Sequence, residues 1–157
     1  PAARQLTDSH TLAAALADTA QALCRPAKLH FVLQEQWQGQ FLCAAPELSR
    51  ALENMLDNAV RYTPAGGTVT LTISKADGDV AFTVTDTGPG FTPEALHKAG
   101  QFLYTDAARP GNGHQGLGLY LARSVARAHG GNLIVSNDPA AHGACVELRL
   151  PICANAL

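Results

Sequence analysis

Lysine is almost missing from this chain: Lys28, Lys75 and Lys98 are the only three in 157 residues. None stands in a Gly-x-x-x-x-Gly-Lys-Ser/Thr run, so the P-loop way of holding nucleotide phosphates is excluded. The signature set of the eukaryotic protein kinases is missing as well. Charge of either sign is scarce, at 15% of residues with a net charge of -2. That gives no basic footprint for nucleic acid or for an anionic membrane. The cysteines, Cys24, Cys43, Cys145 and Cys153, are scattered and form no Cys-x-x-Cys pair. This spacing argues against a zinc site or a disulfide framework and for buried, reduced thiols in a cytosolic protein. The six histidines show no metal spacing with them. No apolar run reaches the roughly 20 residues of a membrane span, and no signal peptide opens the chain. The first residue is not Met, so a piece of a longer protein is expected. No segment repeats.

Hydrophobic residues make up 46% of the chain, enough for one globular domain with its own core across residues 1–157. Residues 9–24 read as a lead-in helix rich in Ala and Leu, ended by Arg25-Pro26, so that residues 1–25 form the entry to the domain. Leu29, Phe31 and Leu33 alternate with polar residues, which predicts a strand, and residues 40–43 read as its short partner. Pro46 suits the first turn of a helix that stops before Pro64. After the turn Ala65-Gly66-Gly67, the residues Val69, Leu71 and Ile73 alternate with threonines. Asp77-Gly78-Asp79 is a hairpin turn, and Val80, Phe82 and Val84 mark the inward face of the next strand. Residues 98–115 have no periodicity and contain Pro110, Gly111 and Gly113; this is the length of a functional loop or lid. A helix over residues 116–129, closed by Gly130-Gly131, and strands over 132–136 and 144–150 complete the domain. Strands and helices interleave without a regular βαβ rhythm. The expected architecture is a mixed sheet covered by helices on one face, a two-layer α/β sandwich.

The helix before Pro64 has two faces. Leu48, Leu52, Met55, Leu56 and Ala59 make an apolar stripe at spacings of three and four. Asn54, Asn58, Arg61 and Tyr62 fall on a different stripe. Asn is a mediocre helix former, so two of them one turn apart look placed for a ligand. An amide oxygen can coordinate a hard cation such as Mg²⁺, an Arg can meet phosphate, and a Tyr ring can cover a base. A helix whose exposed face happens to carry two Asn is the plainer alternative. Asp86 shares strand parity with Val80, Phe82 and Val84, so its carboxylate points to the core side. It either caps the turn Asp86-Thr87-Gly88-Pro89-Gly90 or accepts a hydrogen bond from a ligand. Gly88 and Gly90 let backbone approach a flat group. Gly116 and Gly118 open a helix, where backbone N–H groups can hold phosphate.

In order, spacing and local structure, the segment from Leu52 to Tyr62, then Asp86 to Gly90, then Gly116-Leu117-Gly118-Leu119, resemble the Asn box and the two glycine boxes of the sensor histidine kinase catalytic domain. That domain belongs to the GHKL ATPase superfamily with DNA gyrase, and its ATP-binding fold is the sandwich expected above. The resemblance covers roughly residues 44–151. It implies that Asp86 accepts the exocyclic amine of adenine, which favours adenine over guanine. It implies that Asn58 binds Mg²⁺ together with the phosphates, that Arg61 meets the phosphates and that Tyr62 lies by the adenine. Asn54 stands where hydrolytic relatives have a general-base Glu; an amide cannot take a proton at neutral pH, so slow hydrolysis is implied. Glu53 lies about 100° round the helix and is not the base. Gly116, Leu117, Gly118 and Leu119 border the phosphates, although His114 stands where the family has one more Gly. Gly143-Ala144 resembles the last family glycine motif, with Ala144 beside the adenine pocket. Gln101-Phe102-Leu103-Tyr104 resembles a degenerate F box whose usual Arg is missing, with Arg109 as its substitute.

Ser9-His10 resembles the start of the phospho-acceptor box, but Thr11-Leu12-Ala13 follows and His10 is too close to Asn54 for the family's helical hairpin. His10 is read as an ordinary residue. The resemblance implies a protein-histidine kinase domain using ATP and Mg²⁺. Its partners would be a His-bearing dimerisation domain of the same parent and a response regulator. It also implies a cytoplasmic location, a parent anchored in the bacterial inner membrane, and a monomeric fragment without nucleic-acid or membrane contact. Two rival readings are a stand-alone GHKL serine kinase of the anti-sigma type and a degenerate module that senses nucleotide or binds a partner.

Overall fold

The computed structural model describes residues 3–98, 114–140 and 143–152. Its main sheet has five strands in the order β2(His30–Glu35), β4(Thr68–Ala76), β5(Asp79–Asp86), β7(Ala144–Pro151), β6(Asn132–Asn137). β2 and β4 are parallel and the other neighbours antiparallel, so the sheet is mixed, as expected. The alternation in the sequence sets the register. Leu71 faces Val84 and Ile73 faces Phe82 across β4 and β5, while Phe82 faces Leu148 and Val84 faces Val146 across β5 and β7. All six of these side chains are buried. The intervening Thr70, Thr72, Thr83, Thr85, Glu147 and Arg149 keep partial exposure. One face is therefore the core and the other faces water.

Three helices cover the core face: α1(Ser9–Ala27), α2(Ala45–Tyr62) and α4(His114–Ala128). α1 starts where the Asp8 side chain accepts the Thr11 N–H at 2.9 Å, an ordinary N-cap. Its buried stripe is Leu12, Ala13, Leu16, Ala20 and Cys24. The helix runs through Pro26 instead of ending at it. The end is set by Lys28, which is left-handed at φ 59°; the Lys28 and Leu29 N–H groups bond back to Arg25 and Cys24 carbonyls. A proline one residue from the end disturbs little. The lead-in is not all helix either. A strand, β1(Gln5–Asp8), precedes α1 and pairs antiparallel with β3(Gln40–Cys43) in a separate two-stranded sheet. So β3 is not the partner of β2. After β2 the chain stays against β4, where Gln36 and Trp37 N–H groups bond to the Ile73 carbonyl, and only beyond Trp37 does it turn away to meet β1. The four polar-rich residues of β1 give no alternation to read.

α2 buries Leu48, Ala51, Leu52, Met55, Leu56 and Ala59. Each fully buried Leu contributes about 1.5–3 kcal/mol, so this stripe anchors the helix and fixes which way its other face looks. The Thr63 hydroxyl donates to the Ala59 carbonyl at 2.7 Å, and extended Thr63 leads into Pro64, which ends the helix. A six-residue helix, α3(Pro93–Lys98), follows the turn after β5; it is too short to show a periodicity in sequence. It begins where the Thr92 hydroxyl accepts the Ala95 N–H. α4 is closed by Gly130-Gly131, with Gly131 N–H on the Ala126 carbonyl at 2.8 Å.

Candidate functional site

The last residue of β5 is Asp86, only 4% exposed. Strand parity turns its carboxylate inward, and the energetic cost of a buried charge requires donors there. Two backbone groups supply them: Oδ1 accepts the Gly88 N–H at 2.9 Å and the Ala144 N–H at 3.2 Å. The turn-capping geometry is thus present, and it also draws the start of β7 onto the same carboxylate. Ala144 is buried, as its parity predicted. No side chain separates the three segments that meet here. A Cβ on Gly143 would lie 1.6 Å from the Asp86 carbonyl oxygen, and one on Gly88 would lie 2.7 Å from the Tyr62 carbonyl oxygen. Thr87 extends the β4 pairing past Asp86, its hydroxyl accepting the Thr68 N–H at 3.0 Å.

Gly90 has φ +77° and delivers the chain to Phe91. There the Asn137 side chain grips the backbone in both senses. Oδ1 accepts the Phe91 N–H at 2.7 Å, and Nδ2 donates to the Phe91 carbonyl at 2.9 Å. Asn137 is the last residue of β6, so it ties the far side of the glycine turn to the sheet. The sequence reading missed it, because an Asn before Asp138-Pro139 looks like an ordinary turn residue.

On α2 the expected polar stripe divides. Asn58 and Tyr62 are buried, at 8% and 3% exposure; Asn54 is half-buried and Glu53 exposed. The Asn58 Oδ1 is buried and accepts no hydrogen bond from the described residues. An orphan acceptor of this kind costs about 1–3 kcal/mol, which a fold keeps only for a reason. A neutral amide oxygen is a fitting ligand for a hard cation. Arg61 Nη2 lies 3.0 Å from Asp57 Oδ2 in an i, i+4 pair. Such pairs are worth about 0.3–0.5 kcal/mol, little enough for a stronger anion to displace.

α4 packs against α2 and runs antiparallel to it. His129 meets Ala44 at one end, and Leu121 shares a cleft of about 120 Å³ with Asn54. Continued one turn, that direction carries Gly116, Leu117 and Gly118, in the opening turns of α4, toward the part of α2 that holds Asn58. Leu119 is buried at 5% exposure. The helix begins at His114, and α3 ends at Lys98; between them, the expected lid over residues 98–115 falls outside the described residues. Gln101, Phe102, Leu103, Tyr104, Arg109, Gly111 and Gly113 lie outside the described residues.

His10 sits at the start of α1 with Nδ1 2.9 Å from Glu35 Oε2. The hydrogen bond to Glu35 raises its pKa, and the exposed pair lies apart from Asp86 and Asn58. Cys24, Cys43 and Cys145 are free thiols, pushed up in pKa by burial. Among the described residues no group of three or more His, Cys, Asp or Glu could hold a metal.

Residues 43–154 match the family described as histidine kinase-, DNA gyrase B-, and HSP90-like ATPase. The chain is similar to the sensor histidine kinase SpaK of Bacillus subtilis, 42% identical over 107 residues, covering 67% of this chain and 23% of SpaK. It therefore spans under a quarter of that relative. Among solved structures it resembles the mycobacterial sensor histidine kinase MprB, with a TM-score of 0.82 and 27% identity over 94% of this chain and 97% of that one. It also resembles full-length ShkA in complex with AMPPNP, with a TM-score of 0.82 and 26% identity over 96% of this chain and 31% of that one.

Proposed function

The chain belongs to the family of histidine kinase-, DNA gyrase B- and HSP90-like ATPases, as a catalytic domain of the sensor histidine kinase kind, and from this premise we infer that it binds ATP between β5 and α2 and donates the γ-phosphoryl group to a histidine. The observation that carries the reading is the buried Asp86 carboxylate, set where three segments close without a side chain between them. A buried acceptor fixed beside a glycine turn suits a base with an exocyclic amine. Asp86 accepts that amine, and Gly88, Gly90 and Ala144 let backbone lie close to the ring. Tyr62 borders the base from the end of α2. Support for a nucleotide also comes from ShkA, whose structure was solved with AMPPNP.

On α2 Asn58 offers Mg²⁺ an amide oxygen that has no partner among the described residues. When bound, Mg²⁺ neutralises phosphate charge and helps orient the triphosphate. The phosphates lie against the opening turn of α4, where the Gly116 N–H is still free as at any helix N-terminus and Gly118 brings no side chain, and Arg61 exchanges Asp57 for a phosphate oxygen. Asn54 neither takes nor gives a proton, so the site holds ATP without activating water. Phosphoryl transfer relies on positioning and charge stabilisation more than on a strong base. The acceptor is a histidine on a dimerisation domain of the parent protein, which passes the group to a response regulator. In this reading the domain is monomeric and cytoplasmic, and the parent is anchored in the bacterial inner membrane. Among the described residues no helix is long and apolar enough to cross a membrane.

The test is phosphoryl transfer from γ-labelled ATP to the purified dimerisation domain of the same parent. Label that is lost in acid and retained in base identifies phosphohistidine and supports the reading. Acid-stable label on a serine of a partner would replace it with a serine kinase of the anti-sigma type.

A further inference from the structure

His129 lies just past the end of α4, is 7% exposed, and takes no part in the site as described. Its ring joins two helices. Nε2 accepts the Ala44 N–H at 2.9 Å, and Nδ1 lies 2.7 Å from the Val125 carbonyl oxygen. A backbone N–H can only donate and a carbonyl can only accept, so the partners assign a neutral ring with its proton on Nδ1. Ala44 is the cap residue of α2, a helix that has no side-chain cap. The imidazole supplies a partner to the start of α2 from 85 positions away. Beside it the Arg4 guanidinium donates to the Ala128 carbonyl, a favourable place for a cation at a helix C-terminus.

The bond sits beside an open cleft at the seam of α2 and α4. A cavity of about 300 Å³ borders His129, with Arg4, Glu47 and Ser124 on its walls. A second of about 120 Å³ continues along the seam past Val125 to Asn54 and Leu121. Along these clefts the Ala44–His129 hydrogen bond ties the start of α2 to the end of α4. Gly116 is about 20 Å from His129 along the helix axis, so a small tilt of α4 at the His129 end displaces the opening turn of α4 relative to Asn58.

We propose that His129 is a positioning residue for the nucleotide site, setting α4 against α2 and thereby the spacing between Asn58 and the backbone N–H groups that open α4. The proposal rests on the ATP-binding reading above. It makes a selective claim: the triphosphate end depends on His129, and the adenine end, built by β5, β7 and Asn137, does not.

Two variants separate the ring's two bonds. His129→Asn keeps a donor near Val125 and loses the acceptor for Ala44. His129→Gln places an amide oxygen near the position of Nε2 and keeps the Ala44 bond. MgATP affinity is measured by calorimetry and adenosine affinity by ligand-observed NMR, with thermal melts as the folding check. The expected result is a rise of about tenfold in the MgATP Kd for His129→Asn, with adenosine within about twofold and MgATP binding restored by His129→Gln. Equal loss of both ligands, or no loss of either, overturns the proposal. Should His129→Asn fail to fold, His129→Gln decides: wild-type MgATP affinity supports the Ala44 bridge and a loss overturns it. A wild-type protein that binds no nucleotide overturns the ATP-binding reading and this inference with it.

Discussion

β5 is entered through Asp77-Gly78 and left through Asp86-Thr87-Gly88, two Asp- and Gly-containing turns on one strand. At the entry, Asp77 and Gly78 both have positive φ, 52° and 84°, and a Cβ on Gly78 would meet nothing within 4 Å. Glycine serves there because the hairpin needs a left-handed backbone. At the exit the limit is space. Gly88 and Gly143 bring main chain against the Tyr62 and Asp86 carbonyls at distances no Cβ allows, and the carboxylate between them is buried. The entry turn is built for folding. The exit carries costs that folding does not need, a buried carboxylate and, across on α2, an amide oxygen with no partner among the described residues; costs of that kind collect at binding sites.

The comparison can be broken by removing the space at the exit. Gly143→Ala is expected to cost about 3 kcal/mol of stability, because backbone must move to admit the methyl group, and to abolish nucleotide binding; denaturant unfolding and an ATP titration check both. Next in size, Asn58→Ala is expected to weaken MgATP binding at least about tenfold with no loss of unfolding free energy, since it removes an acceptor that none of the described residues satisfies. A stability loss as large as the affinity loss would make Asn58 an ordinary core residue. Gly78→Ala sharpens the contrast from the entry side: about 1 kcal/mol of stability lost to the positive φ, with ATP affinity unchanged by calorimetry.

The smallest expected effect is at His10. Glu35 raises its pKa above the ordinary 6.5. A group whose pKa is raised by folding stabilises fully below its unfolded value and loses that contribution as pH rises through the folded one. The stability difference between wild type and His10→Gln should therefore be present at about pH 5.5 and gone by about pH 8.5, with ATP affinity unaffected in either condition. Thermal melts across that range measure it.

Strand parity made most of this legible in advance. It placed Asp86 and Ala144 inward with Val84 and Val146, and the period of α2 separated its apolar stripe from Asn54. Periodicity failed where contacts are long-range or elements short. β1 and α3 have too few residues to show a pattern. Nothing local marks Asn137 as the clamp on Phe91, or His129 as the cap partner of Ala44. Asn58 and Tyr62 were read on a polar stripe and are buried, because the apolar stripe plus the site occupies more of the helix circumference than a two-faced helix would need. Arg61 pairs with Asp57, one turn earlier. Helical spacing alone makes that pair visible in sequence.

The most direct measurement is a calorimetric titration of the protein with ATP and with GTP, each with and without Mg²⁺, repeated on Asp86→Asn. The expected result is that ATP binds, that Mg²⁺ strengthens it, that GTP gives no signal, and that Asp86→Asn abolishes binding while the domain stays folded. Equal binding of ATP and GTP, or ATP binding untouched by the substitution, would contradict it.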